Sequence, residues 1–290
     1  MDPNYSAKNF DVYYFAIGCG RPYQRDAKWL DFFGNIADRI ISDIRPASVL
    51  DAGCAWGFLV EALRQRGIEA YGLDISEYAI QNVHADIKPY CWVGSVTDTF
   101  PRKYDLIVCI EVLEHLPKAQ AEQAIVNFCL HSEDVLFSST PFDYKESTHF
   151  NVQPPEYWSE LFARQGFFRE IDFDASFVTQ WAVRYRRKSE PLPYMVREYE
   201  RKFFLLWKEN TDLRSLALEM RAGLAKKEHL ITEISEKAVE LDKRANTVDN
   251  QLNEIYASRS WQFLQKIQRL RLRLVPKGSR RERLLFRKGK

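Results

Sequence analysis

From residue 47 onward, short apolar runs with the character of buried strands alternate with segments of helical period. SVLDAG (48–53) precedes FLVEALRQRG (58–67), EAYGLDIS (69–76) precedes EYAIQNVHADI (77–87), and CWVGSV (91–96) is a further short strand. YDLIVCIEV (104–112) precedes KAQAEQAIVNFCLH (118–131), and DVLFSSTP (134–141) precedes PPEYWSELFARQG (154–166). Such a chain buries its strands in a mostly parallel sheet with helices on both faces. FFREIDFDA (167–175) and WAVRYRRK (181–188) close the pattern as two strands too close in sequence for a crossover helix, hence antiparallel. The expected fold is α/β: a doubly wound, mostly parallel, Rossmann-like sheet of seven strands over residues 46–190.

Residues 1–45 read as an N-terminal cap and helix. DAKWLDFFGNIADRIISDIR (26–45) has one apolar face, and YYFAIGCGRPY (13–23) is an aromatic, glycine-bearing lead-in suited to a lid. At about residue 196 the period becomes seven. With Val196 at position a, the a and d series run to Leu252 and Ile255, and sixteen of their eighteen residues are apolar or aromatic. An apolar stripe of that length has no globular core to rest on, so a coiled coil is expected over 196–256. Asn210 is the one polar residue in the a series and predicts a parallel homodimer, while Tyr199 and Phe203 make a trimer the alternative.

The net charge of +2 conceals an asymmetry. Residues 259–290 carry twelve Lys or Arg against Glu282, a net of +11, which leaves +2 minus +11, or −9, on residues 1–258. The two ends are therefore suited to different partners. Residues 257–290 form a basic amphipathic tail in which Trp261, Leu264, Ile267, Leu270 and Leu274 make one stripe. That pattern suits an anionic membrane surface or a partner groove. A nucleic-acid arm is disfavoured, because Trp261 and Phe263 are the only stacking aromatics over 258–274. Five scattered cysteines without C-x-x-C spacing, and no signal segment or run of about 18 apolar residues, suggest a cytoplasmic protein, peripheral at the inner face of the cytoplasmic membrane.

The turn VLDAGCAWGFLVEAL (49–63) is where a nucleotide would sit. A dinucleotide turn needs G-x-G-x-x-G, but the three positions hold Gly53, Ala55 and Phe58, and no G-K-[ST] follows for a triphosphate. Asp51 at the strand tip repels phosphate and welcomes a cation. Asp74 ends the second strand, where an acid takes both ribose hydroxyls. Adenosine with a positive amino-acid arm satisfies both.

VLDAGCAWG, YGLDIS and YDLIVCIEVLEHLP, in this order and spacing, resemble the successive motifs of class I S-adenosylmethionine-dependent methyltransferases. The resemblance covers about residues 47–188. It implies that Asp51, Ala52, Gly53, Cys54 and Gly57 wrap the methionine arm of S-adenosylmethionine, that Asp74 and Ile75 take the ribose, and that Ser95 and Val96 flank the adenine. Ala55 stands where many members have glycine, and Ser95 where many have an acid.

On the acceptor side, EVLEHLP places Glu111, Glu114 and His115 at i, i+3 and i+4, on one face if the stretch makes a helical turn. His149 lies on the long loop after the fifth strand. His115 is the candidate base, with Glu111, Glu114 and His149 as candidate catalytic partners. The same four residues are a candidate set for a divalent cation such as Mg2+, an arrangement that resembles small-RNA 2'-O-methyltransferases and some quinone O-methyltransferases. Phe142, Tyr144 and Asn151 are the substrate candidates on that loop. A looser similarity joins THFNVQPPEYWSELFARQGFF and the S-R-S-W-bearing tail to bacterial enzymes that build cell-surface polysaccharides. It implies O-methylation of a sugar hydroxyl on a lipid-linked glycan. The alternatives are a small-molecule or quinone methyltransferase, an RNA methyltransferase, and a non-catalytic coiled-coil scaffold.

Overall fold

A computed structural model describes residues 6–280 of the chain. Its sheet has seven strands: β1 (Ser48–Ala52), β2 (Glu69–Asp74), β3 (Cys91–Val93), β4 (Leu106–Ile110), β5 (Asp134–Ser138), β6 (Phe167–Arg169) and β7 (Val183–Arg187). They lie in the order β3-β2-β1-β4-β5-β7-β6. Strands β1 to β5 are parallel, and β7 runs antiparallel between β5 and β6. The expected mostly parallel sheet with an antiparallel end is thus what forms.

Helices α1 (Ala27–Arg39), α2 (Phe58–Gln65), α3 (Glu77–Gln81), α4 (Lys118–His131) and α5 (Pro155–Arg164) cover the sheet. Neighbouring strand residues alternate between its two faces. Leu50, Ile107 and Cys109 enter the layer with Phe128 and Phe162, whereas Val49, Leu106 and Val108 enter the layer with Ile36, Leu59 and Leu63. This two-sided burial explains why the strands read as continuous apolar runs.

Several expected elements are shorter, among them the third strand, which ends at Val93, and two show why. The second crossover helix stops at Gln81 rather than Ile87, because the Asn82 side chain donates back to the Tyr78 carbonyl at 2.8 Å and the chain turns. The sixth strand stops at Arg169. Residues beyond it leave the sheet and carry Phe173 and Phe177 onto the cluster above Leu106 and Val108.

Strand β1 sits between β2 and β4, so the strand order reverses there, and ligands in such sheets bind beyond the carboxyl ends at that reversal. Residues 6–23 arch over the adjoining helices. Phe10, Phe15 and Tyr23 form a third cluster with Phe58 and Ala79, and the Ser76 hydroxyl donates to the Phe10 carbonyl at 2.5 Å.

The chain divides into two compact units between Phe203 and Phe204. Helix α6 (Leu192–Ala257) begins in the first, where Met195 is buried and Arg201 meets Asp172 at 2.6 Å. In the second unit α6 continues unbroken, and α7 (Arg259–Leu274) follows after a Ser258 cap whose hydroxyl accepts from the Trp261 amide. The segment expected to be a coil is therefore one continuous helix. The basic tail is helical to Leu274, and residues 281–290 of it lie outside the described residues. Among the described residues no helix is long and apolar enough to cross a membrane.

Candidate active site

A cavity of about 840 Å³ opens beyond the carboxyl ends of β1, β2 and β4. Asp51, Gly53, Cys54, Asp74, Ile75, Ser95 and Val96 all line it. Ala52 and Gly57 do not. Ala52 is buried in the sheet core, and Gly57 opens α2 with φ +72°, packed so that a Cβ would meet Ile87 at 2.8 Å. These two residues shape the turn from behind.

The turn depends on close approach. Gly53 has φ +93°, and a Cβ there would meet the Val112 side chain at 2.3 Å. Ala55, at the position where glycine is usual, holds a left-handed φ of +47°. Its amide donates to Asp74 Oδ2 at 2.8 Å, and the Ser76 amide donates to Asp74 Oδ1 at 2.8 Å. The Asp74 carboxylate thereby ties the first turn to the second strand while lining the cavity.

Asp51 and Asp74 form an acidic floor. Burial raises the Asp51 carboxyl to about 8, with the neighbouring Asp74 charge adding to it. Burial also raises Asp74, although the Ser76 and Ala55 amides oppose the shift. Among the described residues no Lys or Arg forms an ion pair with either. Two buried acids with no protein cation suit a ligand that brings its own positive charge and hydroxyl donors. The residues present therefore fit S-adenosylmethionine better than any phosphate-bearing nucleotide.

A raised folded-state carboxyl retains its proton up to about pH 8, whereas an exposed aspartate loses it near 4. Its stabilising contribution is complete below about 4 and is lost as pH rises toward 8, by at most about 1.4 kcal/mol per unit. Asp51→Asn should remove that decline. In thermal melts of the ligand-free protein, the variant's stability relative to the parent should increase steadily from pH 4 to pH 8. A difference independent of pH would show that Asp51 ionises normally.

Across the cavity, Glu111 opens the turn after β4 with a left-handed φ of +52°, and Leu113–His115 form a single tight helical turn. This geometry corrects the shared helical face expected for the three residues. Glu111 Oε1 instead accepts from Trp181 Nε1 at 2.9 Å. Glu114, His115 and His149 do converge, each offering one ligand atom within 4.8 Å of the others, so the candidate metal set loses Glu111. Glu114 is fully buried and held well above the usual carboxylate range by burial and the Glu111 charge, and its Oε2 has no partner.

The hydrogen bonds fix the histidine tautomers. His115 Nδ1 lies 3.2 Å from the Thr148 carbonyl and 2.9 Å from Thr148 Oγ1. A carbonyl only accepts, so Nδ1 carries the hydrogen and Nε2 is the bare acceptor. The Tyr14 hydroxyl, 3.3 Å away, donates to that Nε2. Thr148 Oγ1 in turn donates to Glu146 Oε1 at 2.9 Å. Partial burial raises the Glu146 carboxyl, but the Thr148 amide and hydroxyl outweigh it and leave it below its ordinary value. By the same reasoning His149, whose Nδ1 donates to the Asp143 carbonyl at 2.7 Å, presents Nε2 as an acceptor. Burial, with the neighbouring His149 ring disfavouring a positive charge beside it, lowers His115 to about 4, so it is neutral at physiological pH.

Phe142 and Tyr144 are exposed and line the cavity, in keeping with substrate candidates, whereas Asn151 is buried away from it beside Gln153. Sequence reasoning passed over Tyr14, Thr148, Glu146 and Trp181. Tyr14 lies in the aromatic lead-in and Thr148 beside the flagged His149, but a contact spanning 101 residues leaves no local periodicity to detect.

A family profile described as a methyltransferase domain matches residues 23–168, half of the 290-residue chain. The chain belongs to this family. The match bears out the expected class I S-adenosylmethionine-dependent methyltransferase domain. Among curated relatives, the ubiquinone biosynthesis O-methyltransferase of Nitrosomonas europaea is 33% identical over 92 residues, covering 29% of this chain and 39% of that protein. The ubiquinone biosynthesis O-methyltransferase of Alkalilimnicola ehrlichii is 30% identical over 140 residues, covering 43% of this chain and 56% of that protein. The chain thus covers only about 39% and 56% of these two relatives' lengths. The magnesium protoporphyrin IX methyltransferase of Synechocystis PCC 6803, solved with S-adenosylmethionine, matches 65% of this chain and 100% of that one, at 18% identity and TM-score 0.48. Nothing in these relatives' names refers to polysaccharide.

Proposed function

We propose that the protein transfers a methyl group from S-adenosylmethionine to a hydroxyl oxygen. The observation that carries this reading is the juxtaposition, in one cavity, of an acidic floor without a protein cation and a neutral histidine with a bare Nε2. When bound, S-adenosylmethionine supplies a methyl group activated by its sulfonium. The chain's own contribution is alignment, exclusion of water and removal of a proton. Asp74 anchors the ribose hydroxyls and Asp51 neutralises the cationic arm. An acceptor hydroxyl replaces the Tyr14 hydroxyl as the donor to His115 Nε2 and passes its proton there. The Nδ1–H bond to Thr148, backed by Glu146, holds the ring in the required tautomer and steadies the charge it gains.

Glu114, His115 and His149 would hold a divalent cation if one is used, and it would lower the pKa of the acceptor hydroxyl. Both His115 nitrogens already have partners, which favours the metal-free base. Turnover is therefore expected to persist in EDTA and in His149→Ala. Loss of activity in EDTA, restored by Mg2+, would overturn this choice.

The relatives' names support an intermediate of ubiquinone biosynthesis as the first acceptor to test. The sugar hydroxyl of a lipid-linked glycan, the acceptor suggested by the loop and tail sequences, is the second. The exposed stripe Leu264, Ile267, Leu270 and Leu274 on basic α7 supports docking on an anionic membrane, where either acceptor would reside. Methyl-labelled S-adenosylmethionine incubated with quinone-precursor, glycolipid and RNA fractions separates the acceptors. Label in the RNA fraction alone would refute both.

A further inference from the structure

Helix α6 is 66 residues long and buries one side chain, Met195. Along its second-unit portion Leu213, Met220, Leu224, Ile231, Ile234, Leu241 and Val248 stand exposed on the heptad seam. We propose that residues 204–257 pair with a second copy of this chain as a parallel, in-register, two-stranded coil. The inference goes beyond the catalytic reading and does not depend on it.

Charge selects the partner and its direction. In a parallel in-register pair, a residue at position g faces position e of the next heptad on the other strand. Here those facing pairs include Glu209 with Arg214, Lys237 with Asp242, and Arg244 with Asp249, all of opposite sign. The remaining g–e pairs along 209–256 each contain at least one uncharged residue, so no like charges meet on these flanks, and Lys227, at d opposite its own counterpart, carries its ammonium out to water. An antiparallel pairing would set g against g and e against e, which takes Lys237 and Arg244 away from Asp242 and Asp249. On the single helix, Lys237 and Arg244 reach back to Glu233 and Glu240 at 2.8 and 2.7 Å, on the outward flank. They can therefore bridge along their own helix and across the seam together. Leu216 and Leu230, at g, extend the apolar strip between the charged ends. Asn210, at a, finds a matched partner only when the strands are parallel and in register, and it favours two strands over three.

The test uses the full chain with Ala238→Cys and Ala245→Cys made separately. Both positions are at a and exposed, and the parent chain controls for the native thiols, of which Cys19 is half-buried and the others buried. Mild oxidation should cross-link both variants into covalent dimers, and sedimentation of the parent should give the mass of two chains. An antiparallel coil would bring at most one of the two positions against its counterpart, so cross-linking of only one, or neither, overturns the proposal, as does a mass of one or three chains. Mixing Lys237→Glu/Arg244→Glu chains with Asp242→Lys/Asp249→Lys chains should favour the heterodimer by roughly tenfold or more over either homodimer. Statistical mixing would reject the charge pairing.

Discussion

Asp74→Ala is expected to eliminate measurable S-adenosylmethionine binding. The substitution removes the acceptor proposed for the ribose hydroxyls, and it also orphans the Ala55 and Ser76 amides that the carboxylate holds at 2.8 Å. Each buried donor left unpaired costs about 1 to 3 kcal/mol, and Ala55 loses the bond that fixes its left-handed turn, so a loss of about a hundredfold or more in affinity follows. Asp74→Asn should recover little, because an amide has one accepting oxygen where the site needs two. Thermal melts distinguish this from collapse of the fold: the variant should still unfold cooperatively. Affinity equal to the parent's would place the nucleoside elsewhere.

His115→Ala should lower turnover by about a hundred- to ten-thousandfold, the usual contribution of a positioned base, while leaving cofactor affinity nearly unchanged. His115 lies on the opposite wall from Asp74, and its lowered value of about 4 keeps Nε2 free of a proton through the physiological range. The limb of the rate profile owed to this residue therefore falls near pH 4, with activity lost below it and retained above. A variant that loses thermal stability and cofactor affinity in step with turnover would mark His115 as structural instead.

What could be read from the sequence was what repeats locally. The alternation of strand and helix gave the parallel sheet because each βα unit must bury two faces, and the glycine turn with Asp51 and Asp74 gave one wall of the cavity because strand tips in such sheets converge. The heptads likewise gave an unbroken helix. The acceptor wall was less legible. The left-handed backbone at Glu111 turns its carboxylate to Trp181, seventy residues away, and breaks the helical face that spacing alone implied. Tyr14 reaches His115 only because residues 6–23 fold back over the cleft. Asn151 looked like a loop residue open to substrate, but its backbone amide bonds to the Glu114 carbonyl and draws it inward.

The central claim is that the acidic floor selects a cationic nucleoside. Calorimetric titration of the full chain with S-adenosylmethionine, S-adenosylhomocysteine and NAD tests it most directly. One saturable site for S-adenosylmethionine is expected, weakening as pH falls below about 8 because protonation of Asp51 competes with the cationic arm, with NAD producing no heat of binding. Binding of NAD with comparable affinity, or no heat from S-adenosylmethionine, would contradict it.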